Sequence, residues 1–330
     1  MEWPQPPAAP RWMAWTPQAA VLWALAYGAM RVFWAVRGAP SFGPQHTDLI
    51  AFTGWRAVAL CAAAAAVALA LRTAPWRRLL LVAAWGVSAA LALACPLLLL
   101  DVVSLLLPGS GVPFHPLAFV SRAACFAEAV LVAAAAEAYR RRWRSACLFC
   151  GRTGVRVRSA TLPRWAWWAA YLAVAGCLVR LGAQVAVGFG RLLKAGAAAY
   201  AFEAGFILAG ILLPLALVHS WGRVFPGWVP VLKGRQVPRW LLLGPAFAIA
   251  AGLTVYFGVT LVYLATQTFS GTWRQVAGLP LAFFWVAVPA YWVWGLGLGA
   301  AALAYYQLTR PACRVCGPSS PHHQREHAPA

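Results

Sequence analysis

Eight apolar runs dominate the sequence, at about 17–37, 52–72, 79–100, 116–139, 165–188, 198–220, 240–265 and 280–306. Each approaches or exceeds the roughly 20 residues that an α-helix needs to cross a hydrocarbon core. A 330-residue chain with 62% hydrophobic and 10% charged side chains cannot hide so much apolar surface in a water-soluble globule, because soluble domains run near one quarter charged. The 19 Trp and 9 Tyr fit the same reading, since their rings favour the membrane–water boundary. The expected fold class is an all-α integral membrane protein with eight transmembrane helices. Asp101 interrupts the third run, although Val102 to Leu107 could continue a tilted helix. Pro96 near the end of that run predicts a kink.

A net charge of +20 would point to nucleic acid in a soluble protein. Here the basic residues lie mostly in the connections, where they encode orientation. The N-terminal tail, the C-terminal tail and every second connection together hold 19 Lys and Arg, eight of them between the fourth and fifth runs. The alternate connections hold only Arg37, Arg191, Lys194 and Arg274. This asymmetry predicts both termini in the cytoplasm, an even number of crossings, and basic loops beside anionic lipid headgroups, with no nucleic-acid partner. The start, MEWPQPPAAPRW, lacks the basic opening of a signal peptide and reads as a short cytoplasmic tail. The bias to Ala, Arg, Gly and Pro points to a GC-rich bacterial genome and a bacterial plasma membrane.

The chain repeats itself. AEAYRRRWRSACLFCG at 136–151 aligns without gaps to ALAYYQLTRPACRVCG at 302–317, with eight identities that end in the same Cys-x-x-Cys-Gly. Pro116-Leu-Ala-Phe119 matches Pro280-Leu-Ala-Phe283, and Ala51-Phe52 resembles Ala201-Phe202. Two four-helix units inserted the same way up are expected, related by an axis along the membrane normal as in parallel-repeat transporters. The domain reading is a cytoplasmic tail at 1–16, a first unit at 17–151, a basic linker at 152–164, a second unit at 165–317 and a disordered tail at 318–330. Gly295, Gly297 and Gly299 should let the last helix approach a neighbour closely.

Cys61, Cys95, Cys125 and Cys177 lie singly inside apolar runs, where Cys behaves as a small hydrophobe. The other four form Cys147-Leu-Phe-Cys150-Gly and Cys313-Arg-Val-Cys316-Gly. Two-residue spacing lets both thiolates face one cation, and the following Gly permits a tight turn whose N–H groups can point at sulfur. Each motif resembles a zinc-ribbon knuckle. Both follow the last helix of their unit, so Cys147, Cys150, Cys313 and Cys316 are expected to hold a single Zn²⁺ on the cytoplasmic face. The neighbouring arginines leave redox chemistry or lipidation of these cysteines open. His322, His323 and His327 could supplement the metal or belong to a plain polar tail.

Charges inside the runs are costly in lipid and mark candidate sites. Arg31, Arg122, Arg180 and Glu203 fall in the outer half, Asp101 near the outer boundary and Glu128 near the midplane. One reading is an anion or lipid-headgroup pocket with Glu128 as a proton carrier. The other is interhelical pairing, of Arg180 with Glu203 and of Arg31 or Arg122 with Glu128 or Asp101. His46, Asp48 and His115 in outer connections could also bind a metal. Arg56, near an outer helix end, needs no such account. Seven acidic residues in all, and no nucleophile–base, H-E-x-x-H, Walker or dinucleotide signature, leave little material for catalysis.

Trp23-Ala-Leu-Ala-Tyr27-Gly28-Ala-Met-Arg31-Val-Phe-Trp34, and Trp221-Gly222-Arg223 followed by Pro226, Trp228 and Pro230, resemble uncharacterised multi-pass membrane proteins of actinobacteria. That resemblance implies no activity. Two functions are therefore expected to compete: a non-catalytic membrane protein whose cytoplasmic zinc site staples its halves or docks a protein partner, and a transporter that takes an anionic solute or lipid in the arginine layer.

Overall fold

The computed structural model describes residues 10–42, 48–50, 52–73, 77–108, 114–144, 146–151, 161–188, 196–225, 227, 233–275, 278–310 and 313. They form α1 (Trp12–Arg37), α2 (Trp55–Thr73), α3 (Arg77–Ala94), α4 (Leu98–Leu106), α5 (Pro116–Trp143), α6 (Arg164–Ala186), α7 (Ala197–Val218), α8 (Arg239–Phe269) and α9 (Leu281–Thr309). Seven of them are long and apolar enough to cross a membrane, and the broken pair α3–α4 makes an eighth if counted as one span. Their outward faces stay apolar: Leu22, Val82, Trp168 and Phe269 are each more than two-thirds exposed, as a lipid-facing surface requires and water would penalise.

Proline marks the helix starts and breaks. Pro116 opens α5, while Pro163, Pro238 and Pro280 immediately precede α6, α8 and α9. The fixed φ of proline suits a helix entry, where its missing N–H would have had no intrahelical acceptor. Instead of kinking the third run, Pro96 breaks it into α3 and α4. The carbonyls left at the end of α3 are met from elsewhere: Ile50 N–H donates to Ala94 O at 3.1 Å. The thiols of Cys95 and Cys125 both donate to Leu91 O, at 3.3 and 3.4 Å. Pro17 lies inside α1, which therefore starts five residues earlier than the apolar run does. Pro17 has no N–H to give the carbonyl of Met13, and Arg142 Nη2 of α5 donates to that carbonyl at 2.8 Å instead.

Two compact units emerge. The first holds the chain up to Cys95, residues 115–151 and Cys313; the second holds α4 and residues 161–310. In the first, α1 packs on α2 and α5, and α3 packs on α2 and α5. Its interfaces are built from alanine: Ala20, Ala64, Ala68, Ala84, Ala135 and Ala136 are fully buried. In the second, α6 packs on α7 and α9, and α8 packs on α7 and α9, with α4 laid against α8. Glycine carries these contacts. A Cβ on Gly297 would stand 2.6 Å from Ala169 O of α6, and one on Gly295 would stand 2.8 Å from Thr254 N of α8. Gly299 meets only Ala250, at an ordinary 3.5 Å. Between α7 and α8 a short 3₁₀ turn at Ser220–Gly222 leads into an antiparallel bridge between Val224 and Gln236. The hydroxyl of Tyr305 donates to Gly222 O at 3.0 Å.

Candidate functional site

At the C-terminal end of α5 the chain turns back on itself through Cys147-Leu-Phe-Cys150-Gly. Gly151 N–H donates to Cys147 O at 2.7 Å, and Gly151 adopts φ +70°. Side chains other than glycine rarely accept that conformation. The Sγ atoms of Cys147, Cys150 and Cys313 all lie within 4.8 Å of one another, with Cys147 and Cys313 at 3.9 Å. Four thiolates at about 2.3 Å from one zinc would stand roughly 3.7–4 Å apart, so the spacing fits the ion. Cys316 and the tail histidines His322, His323 and His327 lie outside the described residues. Among the described residues this is the one group of three or more His, Cys, Asp or Glu with such geometry.

The arginines beside the knuckle do more than carry charge. Glu137 accepts from Arg140 Nε and Nη2, both at 2.7 Å, and from Arg141 Nε at 2.8 Å. Arg141 Nη1 then donates to the knuckle carbonyls of Leu148 at 2.9 Å and Phe149 at 3.2 Å. Its guanidinium also lies 5.2 Å from the ring of Trp12, at the start of α1. From the sequence, Arg140, Arg141 and Arg142 are expected to set orientation and to influence the nearby thiols, not to hold the knuckle backbone. The signal that could have set Arg141 apart is its spacing from Glu137, one helical turn away on the same face.

At the opposite end of the first unit, Arg31 is buried and ion-paired with Asp48. Ser121 donates to the same carboxylate and contacts the Tyr27 hydroxyl at 3.2 Å. The other carboxylate oxygen accepts Leu49 N–H at 2.9 Å. Arg122 Nε donates to the backbone carbonyl of Asp48 at 2.7 Å. Arg31 also lies over the rings of Tyr27 and Trp34, where a cation gains from the ring quadrupole. Asp48 is thus the counter-charge of Arg31, in place of the expected Glu128 or Asp101. Nothing in the 17-residue connection between α1 and α2 predicts that its one acid folds back onto Arg31. His46 lies outside the described residues, and His115 caps the start of α5. Arg56 is exposed at the start of α2.

Glu128 is fully buried, and its Oε2 faces the thiol of Cys61 at 3.7 Å, so Cys61 has a polar neighbour beyond its packing role. Asp101 is buried within α4. In the second unit Arg180 pairs with Glu203 between α6 and α7, as their common depth predicts. Arg180 Nε donates to the hydroxyl of Tyr291 on α9. The guanidinium lies 5.0 Å from the Tyr291 ring and 5.6 Å from Phe206, and Phe257 stacks on Tyr291 at 4.0 Å. Asp48, Glu137 and Glu203 each pair with an arginine. Partnering of this kind is how a buried charge becomes tolerable in an apolar medium.

Helices of this length, apolar on their outer faces and closed by internal ion pairs, define a multi-pass α-helical membrane protein with a thiol cluster at one end of its first unit. No protein-family model, curated protein or solved structure matches the chain.

Proposed function

We propose that this is a non-catalytic protein of the bacterial plasma membrane, with eight crossings and both termini cytoplasmic. Cys147, Cys150, Cys313 and Cys316 hold one structural Zn²⁺, and anionic headgroups surround the basic cytoplasmic loops. The observation that carries the reading is the convergence of thiols from positions 147, 150 and 313, far apart in sequence, at zinc-compatible spacing. Bound zinc, a Lewis acid with no redox chemistry, would fasten the segment around Cys313 to the end of α5 and present a rigid surface to a cytoplasmic protein. In a reducing cytosol a stable disulfide is disfavoured.

Two four-helix repeats, inserted the same way up, account for further features. In each unit the first and third helices pack on the second and fourth. In each, the first helix carries a buried arginine paired to an acid. The pairing weighs against the alternative function, a transporter for an anionic solute or lipid, because arginines already neutralised by carboxylates make a poor anion site. The sequence likeness to actinobacterial multi-pass proteins fits this setting.

Metal analysis of the purified chain tests the reading: one zinc per chain is expected, lost in Cys147→Ser and in Cys313→Ser alike. Two zincs, or none, would overturn the four-thiolate site. Reporter fusions after Arg144 and at the C-terminus should both report cytoplasm, and one near Ser110 the outside; a C-terminus found outside would remove the eight-crossing arrangement.

A further inference from the structure

The two knuckles are alike in sequence, but the helical turns that precede them are not. At the first, Glu137 and Arg141 lie one turn apart on α5, and Arg141 grips the loop that joins the two cysteines. The aligned positions of the second knuckle are Leu303 and Gln307. Both are exposed, and neither residue type can form that ion pair.

The grip has a consequence for metal binding. In a trans peptide the C=O and the following N–H point in opposite directions. Holding the carbonyls of Leu148 and Phe149 on Arg141 therefore turns the N–H groups of Phe149 and Cys150 away from it. The next donor, Gly151 N–H, is fixed on Cys147 O at 2.7 Å. A Cβ on Gly151 would also crowd this pair, standing 3.1 Å from Arg141 Nε and 3.2 Å from Glu137 Oε1. A four-thiolate zinc site carries two net negative charges, which a nearby guanidinium offsets.

We propose that Arg141, oriented by Glu137, is the positioning residue of the metal centre: it preassembles the first knuckle as the half that captures the ion, through an ion pair that Leu303 and Gln307 cannot repeat. The proposal rests on the zinc reading of the thiol cluster and adds an asymmetry to it. Arg141 contacts no metal. It acts through the peptide planes between Cys147 and Cys150.

The test uses the full chain in detergent, stripped of metal and titrated with Zn²⁺ against a chromophoric chelator, with Co²⁺ as a spectroscopic stand-in. Arg141→Ala should weaken zinc binding roughly 10- to 100-fold, the range seen when groups supporting metal ligands are removed. Its thiolate-to-cobalt absorption should shift or broaden. Glu137→Gln should weaken binding in the same direction and less. Arg141→Lys, which keeps the charge but not the fork, should fail to restore it. Gln307→Ala should bind as the unaltered chain does. Thermal unfolding of the metal-free variants should match the metal-free parent, which separates a lost fold from a lost site. Wild-type affinity in both Arg141→Ala and Glu137→Gln, or equal weakening by Gln307→Ala, would overturn the proposal while leaving the zinc site standing. An unaltered chain that takes up no zinc would sink the metal centre and this inference together.

Discussion

Arg31 in the first unit and Arg180 in the second are both buried in a helix that packs on two neighbours, yet they are neutralised by different parts of the chain. The partner of Arg31 is Asp48, in the connection between α1 and α2, where Ser121, Leu49 N–H and Arg122 also converge. The partner of Arg180 is Glu203, within α7, and the rest of its surroundings are the aromatic rings of Phe206 and Tyr291. The first arrangement fastens a loop over the end of a bundle; the second ties two helices within it. The interfaces divide in the same way. Alanine methyls fill the first unit, whereas α9 meets its neighbours in the second unit backbone to backbone across glycine. In lipid no hydrophobic force drives helices together, so close packing and a few polar contacts must do so. These two units distribute that work differently.

The sharpest way to break the comparison is at Glu203. Glu203→Leu leaves Arg180 without its carboxylate in an apolar setting and should destabilise the protein by about 3–5 kcal/mol. Denaturation in mixed micelles measures it. Arg180→Met together with Glu203→Leu should recover most of the loss, because both charges are then gone. If Glu203→Leu unfolds with the parent, the rings alone suffice for Arg180 and the second unit does not depend on its ion pair.

A smaller effect is expected from the packing. Gly297→Val forces a side chain against the backbone of α6 and should cost about 1–3 kcal/mol, as overpacking does. Gly28→Ala in the first unit, whose new methyl would meet only Cys61 Cβ at 3.3 Å, should be close to neutral. Equal losses at the two positions would erase the distinction between a glycine-built and an alanine-built unit.

The mildest change concerns the loop. Asp48→Asn keeps one oxygen, which can serve Arg31 and Ser121 but not Leu49 N–H as well, and removes the charge, so a global loss of about 1–2 kcal/mol is expected. The local signature should be clearer than the global one: faster hydrogen exchange at Leu49 and Ile50, with exchange in the core of α6 unchanged. Uniform acceleration across both units would show that this contact holds the whole protein rather than a loop.

Much of the molecule was legible from its residues. Seven of the eight runs reappear as single helices with ends displaced by a few residues, and the third as the broken pair α3–α4, because the free energy of placing a 20-residue stretch in hydrocarbon is a local property. Pro96 was legible as a disturbance of the third run, but as a kink rather than the break that the structure shows. Arg180 with Glu203 followed from equal depth, and the thiol cluster from repeated Cys-x-x-Cys-Gly spacing. Tertiary structure alone selected Asp48 for Arg31, set Cys61 beside Glu128, and placed Arg142 on the carbonyl that Pro17 leaves open. It also turned Arg141 onto the knuckle. The reason is rotational. A helix that is apolar on every side carries no stripe to say which face turns inward, so depth along the membrane can be read from the sequence, while the angle at which each side chain meets its partner is fixed only when the helices pack.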